Sequence, residues 1–530
     1  MVYRMNKYEV DRVAIVGIGG SGAYYIAKFL LLCGVDVVGF DLKNTSKTEE
    51  LEKLGAEITY KNPRESFGDV AYFIYTHNLP EKLVKQLIRI NPGIDAYEVG
   101  EMYKSIIGDF EDGLLSESQQ EAFYKSNLAP LYSLDLRDTR VVGITGTDGK
   151  TTSCAMIYHM LKDNGFSPAL ISTVSAQIAD KEIDIGLHTT TPTSQELFDL
   201  LNKALDAGCT HIVLEVTSHG LEQGRVAGIK FDTIGYTNVT KEHLDYHKTY
   251  ERYLEAKSLL IKEHSKPGSV IVLNMDDASY DFLNSISLGR SMKYAIGNKD
   301  ADITATNIDD LDGLKFNLGT NTGSFDVHIP IYGKYNVSNF LLACGVCMNE
   351  GVEIEDIVKS IASFKGVTGR MELIQQNPFK VFVDFAHTPN ATLKALETVR
   401  AITKGRVIHV FGCAGLRDST KRYEMGKISN QLADITVLTA EDPRTESLKE
   451  INDEIERGWK DGGKKGELIR FDRADKNVEV RRNAIKKAIK LAKDGDTIIV
   501  TGKAHEKSLC FGDTEYDWND IEEVKRLLKS

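Results

Sequence analysis

The chain has 530 residues, too many for one hydrophobic core, and at roughly 100–200 residues per domain it is expected to hold three or four domains. Its 42% hydrophobic and 27% charged residues are those of an ordinary soluble globular protein, which excludes disordered and fibrous designs. Lys plus Arg number 65 against 77 Asp plus Glu, a formal net charge of −12, so no global field draws it to nucleic acid or anionic lipid and any phosphate binding must be local. The longest apolar run near the N-terminus, around Phe29 to Cys33, is far shorter than the ~18 residues of a membrane helix. Met1 to Val10 is mixed and charged, unlike a signal peptide. Of seven scattered cysteines only Cys344 and Cys347 are close, with no second pair or nearby His, so buried free thiols in a reducing compartment, the cytoplasm, are expected rather than a metal site.

The first part of the chain opens with the apolar Val13-Ala-Ile-Val16, the turn Gly17-Ile-Gly19-Gly20-Ser21-Gly22, an apolar helical run to Cys33, then Val35-Asp-Val-Val-Gly-Phe40 and Asp41. Strand, glycine turn, helix, strand, acid is the opening of a Rossmann-like unit, in which glycines let a diphosphate approach the helix N-terminus. A nicotinamide cofactor, another nucleotide diphosphate, or close packing alone would use this pattern equally. Further strands are expected at Val70 to Tyr75 and Ala96 to Val99; the polar, aperiodic stretch 109–140 reads as a linker with one short helix.

In the second part the buried-strand pattern Val141-Val-Gly-Ile-Thr145 precedes Gly146-Thr147-Asp148-Gly149-Lys150-Thr151-Thr152 and a helix from Ser153 to Leu161. In such a loop backbone amides and the helix N-terminus face phosphates, a lysine reaches the outer ones, and a hydroxyl meets magnesium. The strict spacing would put glycine at 144, where this chain has Ile144. A second buried strand, Thr210-His-Ile-Val-Leu214, ends in Glu215, an acid placed to hold magnesium. His219, His243 and His247 follow among several acids; without thiolates a magnesium phosphate site suits them better than zinc. Lys257, in the helical segment Tyr250 to Ile261, is by itself an ordinary solvated lysine.

Together these residues resemble a family. From Val141 to Glu506 the chain is similar to the Mur ligases, and among them most like the MurE branch. The matching motifs are Thr145-Gly-Thr-Asp-Gly-Lys-Thr-Thr152, Thr189-Thr-Thr-Pro192, Glu215-Val-Thr-Ser-His-Gly-Leu-Glu-Gln-Gly-Arg225 and Thr237-Asn-Val-Thr-Lys-Glu-His-Leu-Asp-Tyr-His247. Ala256-Lys257, Gly333-Lys-Tyr-Asn-Val-Ser-Asn339, Gly369-Arg-Met371, Asp384-Phe-Ala-His-Thr-Pro389, Glu441-Asp-Pro-Arg444 and Gly502-Lys-Ala-His-Glu506 follow in family order. The resemblance implies an ATP-dependent amide-bond ligase that adds an amino acid, with meso-diaminopimelate the leading expectation, to UDP-MurNAc-L-Ala-D-Glu in peptidoglycan precursor synthesis. The acceptor carboxylate would attack the γ-phosphate of ATP, and the amine would then attack the acyl phosphate.

It also implies roles. Gly146 through Thr152 hold the ATP phosphates, with Lys150 and Thr151 foremost. Glu215, His243, Thr151 and a carbamylated Lys257 hold two magnesium ions, a carbamate being the anionic oxygen ligand that hard Mg²⁺ prefers. Asn336 and Asn339 meet adenine, Asp384 the ribose, and Arg370 with His387 the phosphate end; outside the family, helix capping and a surface ion pair would be the readings of the asparagines and Arg370. Thr190, Thr191, Thr217, Gln223 and Arg225 hold the UDP-linked peptide, and Gly17, Gly19, Gly20, Ser21, Gly22 and Asp41 its UDP end.

The third part, from near Gly366, alternates helices with the apolar runs Val381 to Asp384, Val407 to Phe411, Ile435 to Leu438 and Thr497 to Val500, as βα units do. There Arg417, Asp442, Arg444, Gly502 and Glu506 match positions that bind the incoming amino acid. The family signature Asp-Asn-Pro-Arg reads Glu441-Asp442-Pro443-Arg444 here, and Ala504 replaces a usual glycine. The front end departs further: its glycine turn looks like that of the alanine-adding MurC branch.

The expected architecture is α/β with three domains: a Rossmann-like UDP-substrate domain at 1–110, a linker at 111–140, a P-loop ATPase-type central domain at 141–366 and a Rossmann-like C-terminal domain at 367–530. The expected partners are small molecules, without nucleic acid or membrane, for a cytoplasmic monomer. The alternatives are a divergent Mur-type ligase, MurC-like or acting on a pseudomurein-type UDP-peptide, a nicotinamide-dependent oxidoreductase, and a non-catalytic nucleotide-binding relative.

Overall fold

Runs of aliphatic residues bounded by glycine turns build mostly parallel sheets here, because a strand covered by helices on both faces must be apolar along its whole length. The structure, a computed structural model, describes residues 8, 10–76, 79–126, 128, 130–183, 190–240, 242–287, 290–472 and 478–529. The chain forms two compact units, one of Met1–Asp138, Thr191–Asp206 and Thr217–Lys230, the other of Thr139–Thr190, Ala207–Val216 and Phe231–Ser530.

The first unit is built on a parallel sheet in the order Glu57–Thr59, Asp36–Phe40, Arg12–Val16, Tyr72–Tyr75, Asp95–Glu98. Strand order reverses at Arg12–Val16, and the glycine turn follows that strand, at the switch point where doubly wound sheets bind ligands. The segment expected to be a linker is packed instead. Its helix Glu117–Ser126 and the 3-10 turn Pro130–Ser133 join the unit, with Leu115, Ala122, Phe123 and Leu128 in the core and Phe123 stacked on Phe110 at 4.2 Å. Helices Ser194–Asp206 and Ser218–Glu222, expected in the central domain, also belong to this unit, and Ala227 is part of its core.

In the second unit, eleven described strands form one sheet with Arg140–Thr145 flanked in parallel by His211–Glu215 and Phe231–Tyr236. The loops leaving these three strands carry residues 146–149, 216–217 and 237–243, so phosphate loop, acid and histidine motif leave the same sheet edge. Pro168–Ile171 continues the parallel set on one side and Ser265–Asn274, Arg290–Ile296 and Ile303–Asp309 on the other, before antiparallel strands close both edges. Helix Lys150–Asp163 and the cysteine-bearing Tyr335–Asn349 are buried nearly all round, so their hydrophobicity marks interior helices rather than amphipathic ones. All seven cysteines are free, Cys344 and Cys347 fully buried.

The six-stranded sheet of this unit runs Glu372–Gln375, Lys380–Asp384, Thr497–Thr501, Val407–Phe411, Ile435–Leu438, Glu467–Arg470, parallel except for the first pair. Asp384 ends one of its strands, and Gly502 and the Glu441 loop follow the carboxyl ends of two others. The fold is thus α/β, three domains on three parallel-rich sheets, and no described helix is long and apolar enough to cross a membrane.

Candidate active site

The loop after Arg140–Thr145 is a cradle that admits no side chains at its glycines. Gly146 has φ +143°, and a Cβ there would lie 1.9 Å from Thr237 Oγ1. Gly149, at φ +86°, begins helix Lys150–Asp163, and its Cβ would fall 2.1 Å from Asn339 Oδ1. Thr147 N–H donates to Asn238 O at 2.7 Å, while Asp148 N–H donates to Asn238 Oδ1 at 3.0 Å and Asn390 Nδ2 donates to Asp148 Oδ2 at 2.9 Å. Lys150, at the helix start, donates to Thr147 O at 2.7 Å and has no carboxylate partner among the described residues. Thr151 and Thr152 are buried in the same first turn. Such a helix N-terminus with a lysine is an anion site.

Beside it Glu215, 1% exposed, accepts hydroxyl hydrogen bonds from Thr151 (3.0 Å) and Thr173 (2.9 Å) and the Thr173 N–H at 3.0 Å. Thr190 Oγ1 lies 3.1 Å from Thr173 Oγ1, whose proton goes to Glu215. Lys257, 1% exposed, donates to Gly146 O at 2.7 Å with its ammonium 4.6 Å from the Tyr253 ring centre. Burial, helped by the charge of Lys150, pushes its pKa well below the lysine range. His243 holds φ +54°, a strained backbone, and lies edge-on to Tyr253 at 6.2 Å. Among the described residues no three His, Cys, Asp or Glu side chains group as metal ligands. The oxygen donors of Thr151 and Glu215 fit magnesium, and an unmodified Lys257 amine does not.

Asn336 and Asn339 do not cap their helix, whose N-cap is Lys334. Both are 5% exposed, with Asn339 Nδ2 donating to Asn336 Oδ1 at 2.8 Å and Asn336 Nδ2 to Tyr332 O at 2.8 Å. Asp384 accepts the amides of Met371 and Ala386, both at 2.7 Å, and burial raises its pKa. Among the described residues Arg370 makes no surface ion pair: its guanidinium lies 4.9 Å from the Phe385 ring centre with buried Nε unpartnered, and its charge acts on Asp384. His387 bonds Phe385 O through Nδ1 at 2.9 Å, and burial with nearby Lys421 pushes its pKa down to about 4.

The UDP-end and peptide residues fall in the first unit, Thr190 excepted. Gly17 has φ +79°, and Gly19 N–H donates to Asp41 Oδ2 at 2.8 Å while Leu42 N–H donates to Asp41 Oδ1 at 2.7 Å, so Asp41 braces the turn. Gly20 is the N-cap of helix Ser21–Leu32, and a Cβ on Gly22 would meet Val99 at 2.8 Å. Thr191 and Thr217 hydroxyls pair at 3.0 Å, while Arg225 donates to Thr191 O at 2.6 Å and to Gln223 Oε1 at 2.6 and 3.0 Å. Gly224 lies against Tyr103, one turn along from Val99, so helix Val99–Glu111 backs both groups. Thr189 lies outside the described residues, as does Lys241.

In the third sheet's loops, Lys503, 1% exposed, donates to both Asp442 oxygens at 2.9 and 2.8 Å and pairs with Glu506. Gly502, φ +108°, leaves room for Glu441, whose Oε2 would be 2.4 Å from a Cβ there; its N–H donates to Asp384 O at 3.2 Å. Asp442, Arg444 and Ala504 hold φ of +42°, +54° and +43°, three non-glycine left-handed residues in two loops. Arg417 stands on an exposed turn tied to the 441–446 loop through Gly415 N–H to Asp442 O at 2.9 Å and Leu416 N–H to Glu446 Oε2 at 3.0 Å.

These loops have known counterparts. The model of the Mur ligase family catalytic domain matches residues 12–109, the Mur ligase middle domain 144–347, and the Mur ligase glutamate ligase domain 369–504. The chain belongs to the Mur ligase family. This Mur ligase is an ATP-dependent amide-bond ligase of peptidoglycan precursor synthesis. The UDP-N-acetylmuramoyl-L-alanyl-D-glutamate–2,6-diaminopimelate ligase 1 of Clostridium acetobutylicum is 38% identical over 405 residues, 76% of this chain and 80% of its own. The UDP-N-acetylmuramyl-tripeptide synthetase of Deinococcus radiodurans is 36% identical over 397 residues, 74% and 78% of the two chains. A solved UDP-N-acetylmuramoyl-L-alanyl-D-glutamate–2,6-diaminopimelate ligase has a TM-score of 0.55 at 27% identity, covering 88% of this chain and 94% of that one. The pseudomurein peptide ligase type C of Methanothermus fervidus shares the fold, with a TM-score of 0.54 at 18% identity over 98% and 99% of the chains.

Several residues of this Mur ligase's site escaped the sequence reading. Asn238 and Lys503 stand inside recognised motifs, and their neighbours could have flagged them. Thr173 stands in no matched motif, and Asn390 and Lys421 lie just beyond Pro389 and Arg417, where the matched segments end.

Proposed function

We propose that this Mur ligase joins an amino acid, meso-diaminopimelate first among candidates, to UDP-MurNAc-L-Ala-D-Glu through an acyl phosphate. Residues 1–110 would take the UDP end, 141–366 ATP, and 367–530 the amino acid, in a cytoplasmic monomer. The observation that carries this reading is the convergence of two residue sets on one sheet edge: Gly502 donates to Asp384 of the nucleotide set and lies under Glu441 of the amino-acid loop. The name of the Clostridium acetobutylicum relative and the retained Arg444, whose planar guanidinium suits a carboxylate, support the choice of amino acid, and the name of the Deinococcus radiodurans relative supports a tripeptide product.

In this reading Lys150 and the loop amides bind the ATP phosphates and hold the γ-phosphate for in-line attack by the acceptor carboxylate. Asn336 and Asn339 would receive adenine, Asp384 the ribose, Arg370 and His387 the phosphate end. Thr191, Thr217, Gln223 and Arg225 would orient the peptide, with Thr190 beside Thr173, and Gly17 to Gly22 with Asp41 would take the UDP end. Arg417, Asp442, Arg444, Gly502 and Glu506 would bring the amine to the acyl carbon, and phosphate leaves as the amide forms. Thr151, Glu215, His243 and carbamylated Lys257 would hold two magnesium ions, which when bound neutralise charge on the transferring phosphoryl group.

The buried, amine-favouring setting of Lys257 suits carbamate formation, since only a neutral amine adds carbon dioxide. Lys257→Ala is expected to lower ligation about 100-fold with ATP binding retained, a loss in the range of one removed electrostatic stabiliser; unchanged turnover would remove the carbamate role. Phosphate release from ATP with UDP-MurNAc-L-Ala-D-Glu and meso-diaminopimelate, lysine, ornithine or alanine, with mass detection of product, tests the whole reading. A tripeptide with meso-diaminopimelate is expected. Turnover only with another UDP-peptide acceptor would favour the divergent-ligase alternative, to which the glycine turn of the first unit lends support.

A further inference from the structure

Three cations of the second unit, Lys150 of the phosphate loop with Arg370 and Lys421, make no ion pair within 4.0 Å among the described residues, although Arg370 acts on Asp384 and both lysines on Glu242. Lys150 bonds only a backbone carbonyl, and Arg370 leaves Nε unpartnered among the described residues. The third is Lys421, the second residue of helix Thr420–Leu432. No described carboxylate lies within 4.0 Å of its ammonium, which instead donates to His387 O at 2.8 Å. A cation in the first turn opposes the helix dipole, offset in part by Asp418, which accepts the Thr420 N–H at 2.9 Å just ahead of the turn. A half-buried ammonium in such a place is stabilised when an anion arrives. Its reach marks where: its charge acts on Glu242, together with Lys150, Asp148 and Lys257, and on Glu441, together with Arg481, Lys503 and Glu506. Lys421 is common to the nucleotide neighbourhood and the amino-acid neighbourhood.

We propose that Lys421 is a further catalytic residue of this ligase, its ammonium contacting the phosphoryl group in transit from ATP to the acyl phosphate on the side from which the amine arrives. The proposal rests on the ligase reading above. The acceptor oxygen–phosphorus bond forms as the bond from phosphorus to the β-phosphate oxygen breaks, the electron pair leaving with ADP. The nitrogen–carbon bond then forms, the amine loses a proton, and the carbon–oxygen bond breaks with its pair on phosphate. Lys421 stays protonated throughout and supplies charge alone, as a compact point charge does for phosphate.

Lys421→Met in the full-length enzyme tests this by kinetics and by calorimetric titration with ATP and with ADP. We expect kcat to fall about 100-fold, with KM for amino acid and UDP-peptide within about threefold of wild type, as for a lost transition-state stabiliser. ATP affinity should fall about tenfold and ADP affinity less than about twofold, the contact being to the γ-phosphate, and Lys421→Arg should restore part of both losses. A lysine that merely clips the His387 loop would weaken ATP and ADP equally, and Arg would show no selective rescue. That result, or a kcat within threefold of wild type, overturns the proposal. If wild type forms no amide with any acceptor, the ligase reading fails, while the ATP-against-ADP comparison still decides whether Lys421 meets the γ-phosphate.

Discussion

Lys150→Ala is expected to reduce ATP-dependent ligation by at least about 1000-fold, the scale on which single cations at a transferring phosphoryl group act. The geometry gives the reason. Lys150 opens helix Lys150–Asp163 directly after a left-handed Gly149, so its ammonium and the helix amides face the same space. Removing it breaks a bond to the Thr147 carbonyl and no ion pair within 4.0 Å among the described residues, and Glu242, which loses its nearby charge, can take up a proton, so stability should change little. The variant should therefore purify folded, with an unfolding midpoint close to wild type, and fail in phosphate release. Near-full ligation by a folded Lys150→Ala protein would show that the phosphates bind elsewhere.

Much of this architecture is written locally in the chain. The buried strands Arg140–Thr145, His211–Glu215 and Val407–Phe411 are runs of apolar residues, and the glycines at 146 and 149 fall where any Cβ would collide. What was illegible depends on long-range contacts. The stretch 111–140 looks like a polar linker because only a few positions, Phe123 among them, face the core while the rest of its helix meets water. Arg370 on Phe385 and Asn339 over Gly149 are pairings between separate segments, which no spacing rule announces. Ala504 shows the converse: its departure from glycine is visible in the sequence, but only the backbone, at φ +43°, explains why glycine is the easier residue there.

Glu441→Gln is expected to stabilise the protein at pH 8 by as much as about 3 kcal/mol and to do nearly nothing at pH 4.5. Glu441 is 5% exposed with Oε2 unpartnered, and burial raises its pKa from 4.5 to about 7 against the pull of Lys421, Arg481 and Lys503. A raised acid pKa means that between pH 4.5 and 7 the folded chain holds a proton that the unfolded chain has released. The stabilising contribution is therefore complete below the unfolded value and is lost as pH rises through the folded one. Glutamine keeps the shape without the charge, so the gain should grow across that window and level off above it. Unfolding midpoints of wild type and variant at pH 5 and pH 8, without ligand, check this; an equal difference at both would mean that the carboxyl is hydrated and titrates normally. The first position of the family motif is the shorter Asp, and the extra methylene of Glu441 reaches over Gly502, where a carboxylate finds no donor for its second oxygen. A charge held at such cost between the nucleotide and amino-acid loops is a feature of a site shaped for its ligands rather than for stability, so the more stable Glu441→Gln protein should also be the poorer ligase.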